Sequence, residues 1–279
     1  MTTPKPEWLR VPIPEQDYAK TKEIVGGITT VCAEAHCPNI AECWSLGTAT
    51  FMVLGDTCTR SCKFCAVKTG FPAHTPDFME PTRVADAAAQ MNLSYVVLTS
   101  VDRDDLQDQG AAHLAACITA VKQRGMHVEV LIPDFSGRTD LMQLITDTKP
   151  DVIGHNIETV PRLQSKVRDP RANYQQSLDV LRFVKQQGIT TKSSLMLGLG
   201  ERKEEIEQVM RDLRAIGVAI LTFGQYLQPS EKHLPVIEYV HPNVFAALKK
   251  RGEKLGFRVA SAPFVRSSYR AGEMFKQQQ

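Results

Sequence analysis

Residues 51–65 read Phe-Met-Val-Leu-Gly-Asp-Thr-Cys58-Thr-Arg-Ser-Cys62-Lys-Phe-Cys65, an apolar run that breaks at Gly55 and then delivers three cysteines in close order. The run over 51–54 suits a strand covered on both faces, and the cysteines fall in the loop behind it. Similar β-rich runs follow at 95–99, 128–132, 152–157, 193–199 and 219–226. Between them lie amphipathic segments at 81–91, 110–124, 139–147, 174–187 and 202–216. In the last of these Ile206, Val209, Met210, Leu213 and Ile216 recur at helical spacing opposite a charged face. Gly188 stands where a helix ending at 187 wants a left-handed residue. Six consecutive β/α units with right-handed crossovers predict an α/β fold, a partial (β/α)6 TIM-type barrel with its active face at the C-terminal strand ends; an open doubly wound sheet is the alternative. On this reading 51–228 form the barrel, 1–50 an N-terminal extension and 229–279 a C-terminal extension.

Bulk properties limit what the cysteines can do. The chain has 279 residues and 43% hydrophobic content, enough for a substantial core. Its 33 Lys plus Arg nearly cancel 31 Asp plus Glu, so a formal charge of +2 provides no broad attraction to a phosphate backbone, and nucleic acid is not expected as a partner. No apolar run approaches the roughly 20 residues of a membrane helix, and the first residues, MTTPKPEWLR, have no signal-peptide core. A cytoplasmic monomer is expected, in a compartment where thiols stay reduced and cysteines serve chemistry more often than cross-linking.

Cys58, Cys62 and Cys65 are the strongest chemical signal. A short loop can wrap three soft thiolates around an iron-sulfur cube, leaving one iron open to bind a small molecule through its amino and carboxylate groups. A zinc knuckle is the alternative, but it normally completes a tetrahedron with a fourth Cys or His, and neither follows before His74. Arg60 and Lys63 within the loop are read either as tuning the cluster's charge or as solvated loop charges. Cys32, Cys37 and Cys43 form a second triplet upstream, whereas Cys117 sits alone on an alanine-rich segment and reads as a small core residue. At the predicted strand ends, Thr99 and Ser100 offer backbone and hydroxyl groups and Asn156 and Glu158 an amide and a carboxylate, while Lys192 and Ser194 begin the fifth strand region with further polar groups. Gly198 and Gly200 leave room for close approach. These six polar residues are the candidate cofactor-binding set; structural satisfaction of a strand end is the alternative for each.

The CxxxCxxC loop after a first β/α strand resembles the signature of the radical S-adenosylmethionine superfamily. The upstream run VCAEAHCPNIAECW, with its CxxxxCxxxxxC spacing, resembles the auxiliary-cluster motif of lipoyl synthases. Thr99-Ser-Val-Asp-Arg-Asp-Asp-Leu106, His155-Asn-Ile-Glu158, Lys192-Ser-Ser-Leu-Met-Leu-Gly-Leu-Gly-Glu201 and Arg266-Ser-Ser-Tyr269 agree with the same family, so the likeness runs from about Trp8 to Tyr269. Arg270 follows the last motif where many relatives carry histidine.

The resemblance implies two [4Fe-4S] clusters and S-adenosyl-L-methionine. One cluster would sit on Cys58, Cys62 and Cys65 and generate the radical. The other would sit on Cys32, Cys37 and Cys43 with Ser268 as an oxygen ligand, and be consumed as the sulfur source; His36 is not a ligand in the family. The implied activity is radical insertion of sulfur at carbons 6 and 8 of an octanoyl group. That group is carried on a lysine of a lipoyl carrier protein, either the lipoyl domain of a 2-oxoacid dehydrogenase E2 or the glycine cleavage H protein. A reducing electron donor and an iron-sulfur carrier are implied as further partners. Two other readings are a different sulfur-inserting radical enzyme, such as a biotin synthase or an RNA methylthiotransferase, and a noncatalytic metal-binding protein. The first would lack this upstream cysteine spacing; the second predicts four-ligand closure of both sites.

Overall fold

A computed structural model describes residues 4–9, 39, 43 and 48–276. They fall in two compact units, one holding residues 39, 43, 48–60, 67–154 and 270–276, the other residues 4–9, 61–66 and 155–269.

In the first unit, strands β1 (Thr48–Val53), β4 (Tyr95–Ser100), β5 (His127–Leu131) and β6 (Val152–Gly154) pair in parallel in that order, with Phe51 opposite Leu98 and Leu98 opposite Val130. Helices α1 (Glu80–Gln90), α2 (Ala111–Gln123) and α3 (Thr139–Asp147) follow β3, β4 and β5, where β2 (Thr57–Cys58) and β3 (Lys68–Thr69) form a small separate parallel pair. Alternation separates the two faces of the larger sheet. Ala49, Phe51, Val53, Val96, Leu98, Val128 and Val130 share one face and are all buried, as an apolar layer under helices requires. The buried Thr48, Thr50, Thr99 and Glu129 alternate onto the opposite face with Met52 and Val97, so that face mixes polar groups into its buried layer; there Tyr95 Oη donates to Glu129 Oε2 at 3.0 Å. A buried face carrying polar groups opposite an apolar one marks the side available to a ligand.

The second unit repeats the layering. Here β7 (Thr190–Leu197), β8 (Ile220–Gln225) and β9 (Arg258–Ser261) pair in parallel. Leu195, Leu197, Leu221 and Phe223 pack into one hydrophobic cluster with Val209, Met210 and Leu213 of α6 (Lys203–Ala215) and with Leu178 and Leu181 of α5 (Tyr174–Gln186). Lys192, Ser194 and Thr222 occupy the other face, all buried. A short helix α4 (Gln164–Val167) precedes α5, whose Asn173 cap accepts the N–H of Gln176 at 2.9 Å and whose end turns at Gly188 with φ 79°.

The six expected strands and five expected helices are present, with β1 and β7 each beginning three residues before the expected start, and with two larger differences. The strand expected over 152–157 stops at Gly154; beyond it the His155 N–H donates to the Lys192 carbonyl at 3.0 Å and Glu158 forms an isolated bridge with Leu195. The segment beyond 228 is more regular than an extension: α7 (Pro242–Lys254) starts on Pro242 at its first position and feeds β9. A final helix, α8 (Ala271–Lys276), belongs to the first unit.

Candidate active site

Cys58 ends β2, opposite Thr69 of β3, and the Gly70 N–H donates to its carbonyl at 2.9 Å. Its sulfur accepts two backbone N–H bonds, from Arg60 and from Asp102, each at 3.4 Å. Asp102 Oδ2 lies 3.7 Å from the same sulfur. Burial pushes the Asp102 carboxyl up to about 6, against the pull of Arg60.

Arg60 is no solvated loop charge. It is 4% exposed and its guanidinium meets Asp102 at 3.3 Å, Asp104 at 2.9 Å and Asp134 at 2.8 Å. Burial would lower such a cation's pKa, but Asp134 and Asp104 outweigh it and hold Arg60 firmly charged. Thr59 Oγ1 adds a 2.6 Å bond to Asp104. Lys63, by contrast, is exposed.

Cys62 and Cys65 belong to the other unit. The Asp169 N–H donates to Cys62 Sγ at 3.3 Å, while the Asp169 carboxylate accepts the Ser61 N–H at 2.8 Å. Arg171 grips that carboxylate through Nε at 2.8 Å and Nη2 at 3.1 Å, and holds it well below the usual carboxylate range. Lys63 N–H reaches the Val167 carbonyl at 2.9 Å, Leu234 N–H reaches the Lys63 carbonyl at 3.1 Å, and the His233 Nε2 lies 2.9 Å from the Cys65 carbonyl. All three sulfurs are half-buried. Within each unit, a cysteine sulfur that accepts backbone N–H bonds suits a thiolate ligand of an iron-sulfur cluster, whose negative charge such donors disperse.

Of the candidate cofactor-binding residues, Thr99 and Ser100 end β4, Asn156 and Glu158 follow the end of β6, and Lys192 and Ser194 lie within β7. Thr99 is buried on the polar face, whereas Ser100, paired with Val53, alternates onto the apolar face, where its Oγ is enclosed with no hydrogen-bond partner among the described residues. Glu158 adopts φ 67°, a left-handed conformation that a non-glycine residue holds only when its surroundings impose it. Burial pushes its carboxyl up, against Arg168 and an Asn156 hydrogen bond. Lys192 and Ser194 are buried on the polar face of β7. At Gly198 the close approach is made by the protein itself: a Cβ there would fall 2.2 Å from Gln225 Nε2 and 2.5 Å from the Glu238 carbonyl.

Ser268 lies in a half-buried turn that closes with the Tyr269 N–H on the Arg266 carbonyl at 3.0 Å. Cys43 is buried, its N–H on the Asn39 carbonyl at 2.9 Å, and it lines a cavity with Thr48, Tyr95, Arg270 and Gly272. Cys32, Cys37 and His36 lie outside the described residues. Sequence reasoning missed the carboxylates that build the motif loop. Asp102 and Asp104 lay in a quoted motif without a role, and Asp134 and Asp169 carried no local signal, since only folding brings them to Arg60 and Ser61.

The family model for the radical SAM superfamily matches residues 52–213. A lipoyl synthase of Methanocella arvoryzae is 54% identical, covering 98% of this chain and 95% of that protein. One from Thermus thermophilus is 55% identical over 97% of this chain and 86% of that protein, and a chloroplastic lipoyl synthase of Sorghum bicolor is 54% identical over 98% and 79%. Among solved structures, methylornithine synthase superposes with a TM-score of 0.60 at 11% identity, over 86% of this chain and 74% of that one. The hydrogenase maturase HydG from Carboxydothermus hydrogenoformans does so at 0.58 and 14%, over 83% and 66%; at such identities the likeness concerns the fold alone. With the cysteine loop, the parallel α/β layering and relatives above half identity along nearly the whole length, the chain belongs to the lipoyl synthase family of the radical SAM superfamily.

Proposed function

We propose that this protein inserts two sulfur atoms, at carbons 6 and 8, into an octanoyl group carried on a lysine of a lipoyl carrier protein. The observation that carries this reading is the Cys58, Cys62 and Cys65 loop, held by N–H bonds to sulfur, in a chain 54% identical to a lipoyl synthase. When bound, a [4Fe-4S] cluster and S-adenosylmethionine supply the electron and the carbon radical that removes hydrogen from unactivated carbon. Three cysteines would hold that cluster and leave a fourth iron for the small molecule. Backbone N–H groups of Arg60, Asp102 and Asp169 disperse the thiolate charge, and the Arg60 network and the Asp169–Arg171 clamp hold those donors in place. Thr99 and Ser100 are assigned to the methionine portion of the cofactor, and Asn156 and Glu158 to its ribose hydroxyls. Lys192 and Ser194, buried on the polar face of β7, are assigned to the same cofactor and keep bulk water from a reactive radical.

The second cluster is a substrate, since its sulfur ends in the product. We assign it to Cys32, Cys37, Cys43 and Ser268. Supporting this, Cys43 and Arg270, two residues beyond Ser268 in the chain, line one cavity. A hard oxygen beside three soft thiolates is the ligand that leaves most readily when the cluster is dismantled. The carriers proposed are an E2 lipoyl domain or the H protein, with a reductant and an iron-sulfur carrier supplying electrons and replacement clusters. The test is anaerobic: protein reconstituted to about eight irons per chain is given an octanoyl-lysine peptide, a reductant and S-adenosylmethionine. Lipoyl-lysine is the expected product; cofactor cleavage without sulfur insertion would overturn the assignment.

A further inference from the structure

Glu80, His113 and Cys117 bring a carboxylate, an imidazole and a thiol within 4.8 Å of one another at the packing of α1 on α2. Glu80 is the first residue of α1, and His113 and Cys117 are one turn apart on α2, the spacing that points two ligands at one ion from a single helix. His113 Nε2 lies 2.6 Å from Glu80 Oε2, which also accepts the Leu54 N–H at 2.9 Å; the carboxylate is thus oriented by backbone and retains a second oxygen. Cys117 is fully buried, whereas Glu80 and His113 keep 17% and 11% of their side chains exposed, so an ion has a way in. We propose that these three residues form a site for a borderline-soft divalent transition cation, zinc in the simplest case, with water as fourth ligand and no part in the sulfur chemistry.

Chemistry and geometry agree. Metal bonds of about 2.0–2.3 Å place tetrahedral ligand atoms roughly 3.3–3.8 Å apart, which the triad reaches by opening its His–Glu hydrogen bond by less than a rotamer change. Burial, reinforced by the Glu80 charge, pushes the Cys117 thiol up, so it is neutral without a cation. Binding replaces the S–H bond by a sulfur-metal bond and releases the proton to solvent, and the dication then balances one thiolate and one carboxylate. A structural histidine-carboxylate bond beside a core cysteine uses the same atoms and binds nothing.

Cluster-loaded protein, equilibrated with zinc and passed through a desalting column, is assayed for zinc and iron together. One retained zinc per chain is expected, lost in Cys117→Ala and in His113→Gln while iron content and circular dichroism stay unchanged. X-ray absorption at the zinc edge of the wild-type protein keeps the test decisive if either variant fails to fold: one sulfur and two or three N/O neighbours support the site. A shell of three sulfurs would place the zinc on a cysteine triplet and overturn the proposal, as would no retained zinc, or equal retention in both variants.

Discussion

Arg60 shows how a single residue changes meaning between sequence and structure. In the motif it is one basic residue between two cysteines; folded, it is a buried cation facing three carboxylates while its own N–H binds Cys58. Removing one member of such a network leaves uncompensated buried charge. Arg60→Leu is therefore expected to cost about 3–5 kcal/mol in denaturant unfolding; a loss within the scatter of surface substitutions would contradict the burial. Cys58→Ala tests the site more directly. Reconstituted iron is expected to fall from about eight to about four per chain with loss of all S-adenosylmethionine cleavage, and an unchanged iron count would remove Cys58 from the ligand set. The cysteine spacing was readable as a candidate ligand set because residue type and spacing are local properties. Asp134 and Asp169 were not, because they lie 74 and 108 positions from Arg60 and Ser61.

Elements carry the site through a few close approaches. Gly224 of β8 has the Val265 carbonyl where a Cβ would sit, 2.0 Å away, and Gln225 N–H donates to the Pro263 carbonyl at 3.0 Å, so the segment leading to Ser268 lies flat on the strand. Backbone cannot yield as a side-chain tip can, so Gly224→Ala is expected to displace 263–266 and reduce sulfur insertion while the Cys58 cluster still forms. Normal lipoyl yield would contradict it. At the start of α6, Glu205 accepts the Arg202 N–H at 2.8 Å and is forked by Arg162 at 2.6 and 2.8 Å, which holds its carboxyl down at about 2. A depressed carboxylate contributes stability above its unfolded pKa and loses it as pH falls through the folded value. The unfolding midpoints of wild type and Glu205→Gln are expected to differ near neutrality and converge as pH drops toward about 2; a constant gap would contradict the pair's role. Helix 139–147 and the Gly188 cap were legible because periodicity and φ preference are local. The α7–β9 pair was less so: its strand is only four residues long and its helix buries only Phe245, Leu248 and Gly252.

At the scale of the whole molecule, both units repeat one layering: parallel strands, an apolar face under helices, and a buried face carrying polar groups opposite. That arrangement suits a radical enzyme, which must exclude water yet present hydrogen-bonding groups to its cofactor. The proposed reaction further requires one S-adenosylmethionine cleaved for each carbon-sulfur bond. Single-turnover assays are expected to give two 5′-deoxyadenosines per lipoyl group, with a monothiolated intermediate between them; one per lipoyl group would exclude the sequential scheme. The sequence by itself determined the parallel α/β class and the family, since residue type, spacing and short-range periodicity are written along the chain. Only the tertiary structure decided which carboxylates steady the motif loop, which Ser100 hydroxyl is left seeking a partner, and that Glu80, reached across 33 and 37 positions, meets His113 and Cys117. Those pairings depend on packing between elements far apart in sequence, where no local preference records the partner.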